Sequence, residues 1–261
     1  MTNIQFVPSA IDAGACISNA WALLKQSYGM YLGIALVALI MTGCIPCLNI
    51  FVMGPVMGGV FLVVSRDMRG EPVDFGMMFK GFEKFVPLMV IGLLQAIPGV
   101  IAQVLQFSVD LTRLGLGGVN NGDRDFFQAS EGDIALAGGL MVVAIVAGIA
   151  FMIFALLWWT VFFFAIPLVM EYDLGPIDAI KLSAKAAMNN MGGLVVLLIF
   201  QMLLMLLGFL MLCFGIFLFS IPMVYIANAF AYRQVFPWIQ QNFNIGPPPP
   251  NAYGSNFGSG L

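Results

Sequence analysis

The charged residues of this chain fall in clusters, and the spaces between the clusters limit what it can fold into. Four stretches carry no Asp, Glu, Lys or Arg: 26–65, between Lys25 and Arg66; 85–109, between Lys84 and Asp110; 134–170, between Asp133 and Glu171; and 186–232, between Lys185 and Arg233. A helix needs about 20 apolar residues to cross a bilayer core of about 30 Å. The four stretches therefore predict two, one, one and two spans. Composition agrees, with 61% hydrophobic and 9% charged residues against about 25% charged in a globular domain. Lipid offers no partner for free backbone N–H and C=O groups, so the spans must be helices or a closed barrel. The short alternating segments of a barrel are absent from the sequence.

The reading is an all-α membrane protein with six transmembrane helices, over about 28–47, 49–65, 86–107, 134–170, 192–212 and 214–236. The third uncharged stretch is read as one span bent near Pro167, because 151–164 contains no turn former. Residues 1–10 make an N-terminal arm, 11–236 a single membrane domain, and 237–261 a tail rich in proline and glycine that lacks the composition to bury a core. The chain before Tyr28 lacks the basic start and apolar core of a cleavable signal peptide.

Three amphipathic segments interrupt the spans. Residues 11–27 place Ile17, Ala20, Trp21, Leu24 and Tyr28 on one face, 72–86 place Phe75, Met78, Phe79, Phe82 and Phe85, and 176–190 place Ile177, Ile180, Ala184, Ala187 and Met188. Each follows a related opening: Pro8-Ser9-Ala10-Ile11-Asp12, Gly70-Glu71-Pro72-Val73-Asp74 and Gly175-Pro176-Ile177-Asp178. Proline suits a helix start because its missing N–H would be unpaired there, and an aspartate is stabilised by the positive end of the helix dipole. The expected order is three repeats of an amphipathic surface helix followed by a helical pair.

Six spans put Lys25, Arg66, Arg69, Lys80, Lys84, Lys181, Lys185 and Arg233 on one side and only Arg113 and Arg124 on the other. The positive-inside rule then places both termini and all three surface helices in the cytoplasm, in the cell's inner membrane. Seven spans would divide the same residues evenly.

The stretch Met53-Gly-Pro-Val-Met-Gly-Gly, followed by Arg66, by Arg69-Gly-Glu-Pro-Val-Asp-Phe-Gly and by Phe79-Lys-Gly-Phe, resembles a group of prokaryotic multi-pass membrane proteins. These are related to the membrane domain that accompanies some glycerophosphodiester phosphodiesterases. Pro167-Leu-Val-Met and Gly175-Pro-Ile-Asp-Ala-Ile-Lys-Leu-Ser are similar to their second half, so the likeness spans about residues 8–236. The soluble phosphodiesterase domain has no counterpart here, and the resemblance implies no catalytic residue.

Chemistry-bearing groups are few. There is no histidine, which removes the commonest general base and metal ligand, and no catalytic, cofactor-binding or metal site is expected. A net charge of −3 argues against nucleic acid as a partner. Cys44-Ile-Pro-Cys47 is either a redox dithiol at the outer turn or a pair of small residues packing that turn. Arg66, Arg69, Lys80, Lys84, Lys181 and Lys185 are candidates for anionic lipid headgroups or form a solvated, salt-bridged face. Gln95, Gln103, Gln201, Ser220 and Asn228 either line a cavity or bond between helices. The functions this supports are lipid or envelope organisation or a subunit role in a membrane complex, with membrane lipid, a protein partner or a second copy as partners. Transport of a small neutral or apolar substrate and thiol oxidoreduction are the alternatives.

Overall fold

The computed structural model describes residues 4–43, 46–117, 131–211 and 215–238. All regular structure within them is helical: α1 (Ala13–Gln26), α2 (Tyr28–Gly43), α3 (Pro46–Asp67), a 3-10 helix (Phe75–Lys84), α4 (Phe85–Gly117), α5 (Glu131–Phe162), α6 (Ala165–Tyr172), α7 (Pro176–Asn189), α8 (Met191–Leu210), a π-helical turn (Ile216–Ser220) and α9 (Ile221–Val235). Five helical stretches are long and apolar enough to cross a membrane, or six if α1 and α2, bent by 103° at Ser27, count as one broken span. Alone, the 16 residues of α2 fall short of the usual length. The stretch from 134 to 170 is one path: α5 runs unbroken to Phe162, and α6 carries it on after two residues.

Prolines fall within or beside several of these helices, and near three of them a side chain from elsewhere bonds the backbone. A proline inside a helix leaves the carbonyl four residues earlier without its donor, which is costly in lipid. Pro98 frees the carbonyl of Leu94, and Trp158 Nε1–H donates to it at 3.0 Å. Pro222 stands in the first turn of α9, just after the π-helical turn, and there the Tyr28 hydroxyl donates to the Leu218 carbonyl at 3.0 Å. Pro167 ends α5 early, and the break is held by Ser183 of α7: its Oγ accepts from the Phe164 N–H at 3.0 Å and donates to the Val161 carbonyl at 2.6 Å. Ser183 is fully buried. Ser183→Ala should cost about 1–3 kcal/mol, the penalty for buried backbone groups left unpaired, read as a lower unfolding midpoint in detergent micelles.

The short helices pack on the protein mainly through small residues. In α1 the buried stripe is Ala13, Cys16, Ala20, Leu23 and Leu24, and Trp21 and Tyr28 are exposed. The helix runs antiparallel beside α9, from Asp12, whose N–H donates to Gln234 at 2.8 Å, to Trp21, whose ring lies 5.3 Å from that of Phe219. Its stripe therefore meets protein and not lipid, because small residues let two helices approach closely. The second segment winds as a 3-10 helix and leads straight into α4. In α7 the buried residues are Ala179, Ser183, Ala186 and Ala187, whereas Ile177 and Met188 are each 66% exposed.

The starts differ as well. Asp12 and Asp74 are both extended N-caps, accepting from the N–H groups of Ala15 and Gly76 at 3.0 Å. In α7 the cap is Gly175 and Asp178 lies inside the first turn. The identical triplets Ile11-Asp12-Ala13 and Ile177-Asp178-Ala179 thus occupy different helical positions.

Close approach is densest where α3 meets the 3-10 helix and α4. A Cβ on Gly59 would overlap the Met78 carbonyl oxygen, and one on Gly81 would overlap that of Pro55. The segment before α1 is stitched down by Asn190, which is buried between α7 and α8. Its Oδ1 accepts from the Ala10 N–H at 2.8 Å, and its Nδ2 donates to the Val7 and Ala186 carbonyls. The Val7 N–H donates in turn to the Val235 carbonyl at 2.9 Å.

Candidate functional site: an arginine pocket above an apolar cavity

The C-terminal ends of α3, α6 and α9 meet, and they bring charge into the protein interior there. Arg233 on α9 is 8% exposed. Its Nη1 donates to Glu171 Oε1 at 2.6 Å and its Nη2 to Ser65 Oγ at 2.6 Å. The Tyr232 hydroxyl donates to the other carboxylate oxygen of Glu171 at 2.7 Å. Aromatic rings surround the guanidinium, with Trp238, Tyr232 and Phe61 at 4.7, 5.1 and 5.7 Å, a desolvated setting in which cation–π attraction adds to the ion pair. Beside it lies a cavity of about 190 Å³ lined by Phe61, Leu62, Ser65, Arg66, Arg69, Met170, Glu171 and Arg233.

Two donors in this pocket have no acceptor: the Nε of Arg66 and the Nε of Arg233, both buried. The other Arg66 contacts are weak. Nη1 is 3.8 Å from Met77 Sδ, and Glu71 lies 3.8 Å from Nε, an ion-pair distance without a hydrogen bond. Arg69 is held by Glu71 at the mouth.

Deeper along the same three helices is a second cavity, of about 330 Å³. Met53, Met57, Val60 and Phe61 of α3, Ile166 and Pro167 of α6, and Val224, Tyr225, Asn228 and Ala229 of α9 line it, with Gln95, Trp159, Phe162 and Phe163 completing the wall. It is apolar with a few polar groups, as ligand cavities commonly are.

Of the six basic candidates, only Arg66 and Arg69 reach the pocket. Lys84 turns to the end of α6, donating to the Val169 and Met170 carbonyls at 3.1 and 3.0 Å and pairing with Asp173 at 2.6 Å. A cation at a helix C-terminus is favoured there by the dipole, so Lys84 is a cap. Lys80, Lys181 and Lys185 are exposed and apart from the pocket, and Lys185 lies 5.9 Å over the Phe6 ring.

The uncharged candidates divide. Gln201 Nε2 donates to Asn228 Oδ1 at 2.6 Å and Ser220 Oγ to the Leu204 carbonyl at 2.7 Å, both between helices, whereas Gln95 and Asn228 face the apolar cavity. Cys44 lies outside the described residues, as does the side chain of Cys47, which falls in the first turn of α3. Cys16 is fully buried, with its Sγ 3.4 Å from Gln234 Oε1. In a variant keeping Cys16 as its sole cysteine, maleimide labelling should be negligible in the folded protein and complete after denaturation in SDS. Rapid labelling of the folded form would contradict the seat of α1. Among the described residues no group of three or more His, Cys, Asp or Glu could hold a metal ion.

In the sequence, Arg233 and Glu171 serve only to count charges. A signal was present, since these two residues close the last two uncharged stretches. Charges that end long apolar runs lie at the depth where helices still touch, and so they are well placed to pair. No known protein family, curated protein or solved structure matches this chain.

Proposed function

We propose that this chain is a non-enzymatic membrane protein that organises lipid in the inner membrane, alone or as a subunit of a larger complex. One observation carries the reading: an arginine-lined pocket stands directly above an apolar cavity on the same three helices. That order, charge at the membrane edge and apolar space at depth, is the order of an amphiphile in a leaflet. Six crossings with the ends of α3, α6 and α9 facing the cytoplasm fit the eight-to-two division of lysine and arginine. In this arrangement α1, the 3-10 helix and α7 begin three units of a short helix followed by a helical pair. The glycine and proline motifs from Met53 to Phe82 support kinship with the multi-pass family that the sequence resembles.

Purification of the full chain in mild detergent, followed by lipid analysis, tests the reading. A lipid class enriched severalfold over the source membrane is the expected result, and a composition equal to that of the membrane would overturn it. The apolar cavity also favours a second reading, passage of a small neutral solute. Solute flux into proteoliposomes that is abolished by Met57→Trp would support that one instead.

A further inference from the structure

The two cavities are offset by one helical turn on the three helices they share. On α3 the lining passes from Phe61 to Ser65, on α6 from Pro167 to Glu171, and on α9 from Ala229 to Arg233. Each step is four residues, about 6 Å of helix, and Phe61 lines both spaces. The cavities therefore adjoin at Phe61, a charged upper part and an apolar lower part of one groove along these helices if that ring turns aside.

The upper part lacks a partner. Arg233 has given Nη1 to Glu171 and Nη2 to Ser65, and its Nε remains buried and unbonded, as does that of Arg66. A buried charged donor without an acceptor is unfavourable, so an acceptor from outside the chain satisfies the site. Three arginines meet two carboxylates here, Glu171 in the lining and Glu71 at the mouth, and the net positive charge that remains favours an anion. Each Glu171 oxygen already accepts a bond, from Arg233 and from Tyr232, so the lining carboxylate is neutralised within the protein and offers little attraction to the ammonium of a zwitterionic headgroup.

We propose that this groove holds a single phosphate-bearing anionic lipid. Its phosphodiester oxygens accept from Arg66 and Arg233, and an acyl chain runs past Phe61 into the apolar cavity. Planar guanidinium groups suit phosphate oxygens in pairs. The proposal rests on the lipid-organising reading and narrows it to one lipid class at one place.

Native mass spectrometry of the full chain in detergent micelles tests it, with phosphatidylglycerol, phosphatidylcholine of the same chains, and inorganic phosphate as probes. The variants are Arg66→Gln, at a partly exposed position whose loss spares the Arg233–Glu171 pair, and Met57→Phe, which narrows the apolar cavity. The expected result is phosphatidylglycerol binding about tenfold tighter than phosphatidylcholine, the equivalent of one charge-assisted hydrogen bond. Arg66→Gln should remove most of that preference. Met57→Phe should weaken phosphatidylglycerol and leave phosphate unaffected. Equal binding of the two lipids by the unaltered chain would overturn both this proposal and the reading beneath it. A preference that survives Arg66→Gln would keep the reading and sink this site. If phosphate displaced phosphatidylglycerol at equal concentration, or if Met57→Phe changed nothing, the pocket would belong to a free anion and the lipid assignment would fall. Should Met57→Phe fail to fold, Val224→Phe on the opposite wall replaces it.

Discussion

Arg233→Met is expected to destabilise the protein by about 3 kcal/mol, among the largest effects of any single substitution here, because breaking a buried pair by removing one member costs about 3–5 kcal/mol. The guanidinium is 7% exposed and its partner Glu171 21%, so the substitution leaves a largely buried carboxylate with only the Tyr232 hydroxyl. The partial exposure of Glu171 puts this case at the lower end of the range. Most of the cost lies in the stranded charge. Glu171→Gln in the same chain should therefore recover at least half of the loss, measured as a double-mutant cycle of denaturant unfolding in micelles. Additive losses from the two substitutions would mean that the pair is not what holds α9 to α6.

Gly59→Ala is expected to cost at least about 2–3 kcal/mol, the upper part of the range for overpacking a core. The added methyl group would overlap the Met78 carbonyl oxygen, and backbone atoms on both sides have no rotamer through which to yield. Helix α3 and the 3-10 helix would have to part, along with the contact between Gly81 and Pro55 just beside it. Gly29 is the control. It lies one helical turn from Gly33, yet a Cβ there meets nothing within 4 Å. Gly29→Ala should change stability by no more than about 0.5 kcal/mol. Helix propensity by itself favours alanine over glycine, so a loss confined to Gly59 reports the contact. Equal changes at the two positions would show that contact with the 3-10 helix does not decide the outcome.

Helix positions were legible because absence of charge over the whole length of a span admits few alternatives in a bilayer. The phase of the short helices was not. The apolar pattern picks out Ile177 and Met188 on one face of α7, but the face that packs on the protein carries Ala179, Ser183 and Ala186. Close packing and the break at Phe163–Phe164 selected small residues that a hydrophobicity pattern ranks low. Prolines marked where helices would bend. Nothing local could show that Trp158, Tyr28 and Ser183 answer them, since each cap is a contact between distant parts of the chain. The pocket was half visible. Arg66 and Arg69 stand out in the sequence as headgroup candidates, whereas Arg233 is separated from them by α4 through α8 and shares no motif with either.

The seat of α1 also sets the order in which the fold can close. Val7, Asp12, Cys16 and Trp21 find their partners at Val235, Gln234 and Phe219, and Ala10 finds its own at Asn190. A ribosome adding about 5–20 residues per second needs on the order of 10–40 seconds to make the intervening chain. For that interval the first helix is synthesised and unmatched, with its small-residue face uncovered. Residues 4–26 thus act as a latch that shuts only after α9 is made. Interrupted chains lacking residues 216–235 should leave residues 4–26 open to proteases that cannot cut them in the finished protein.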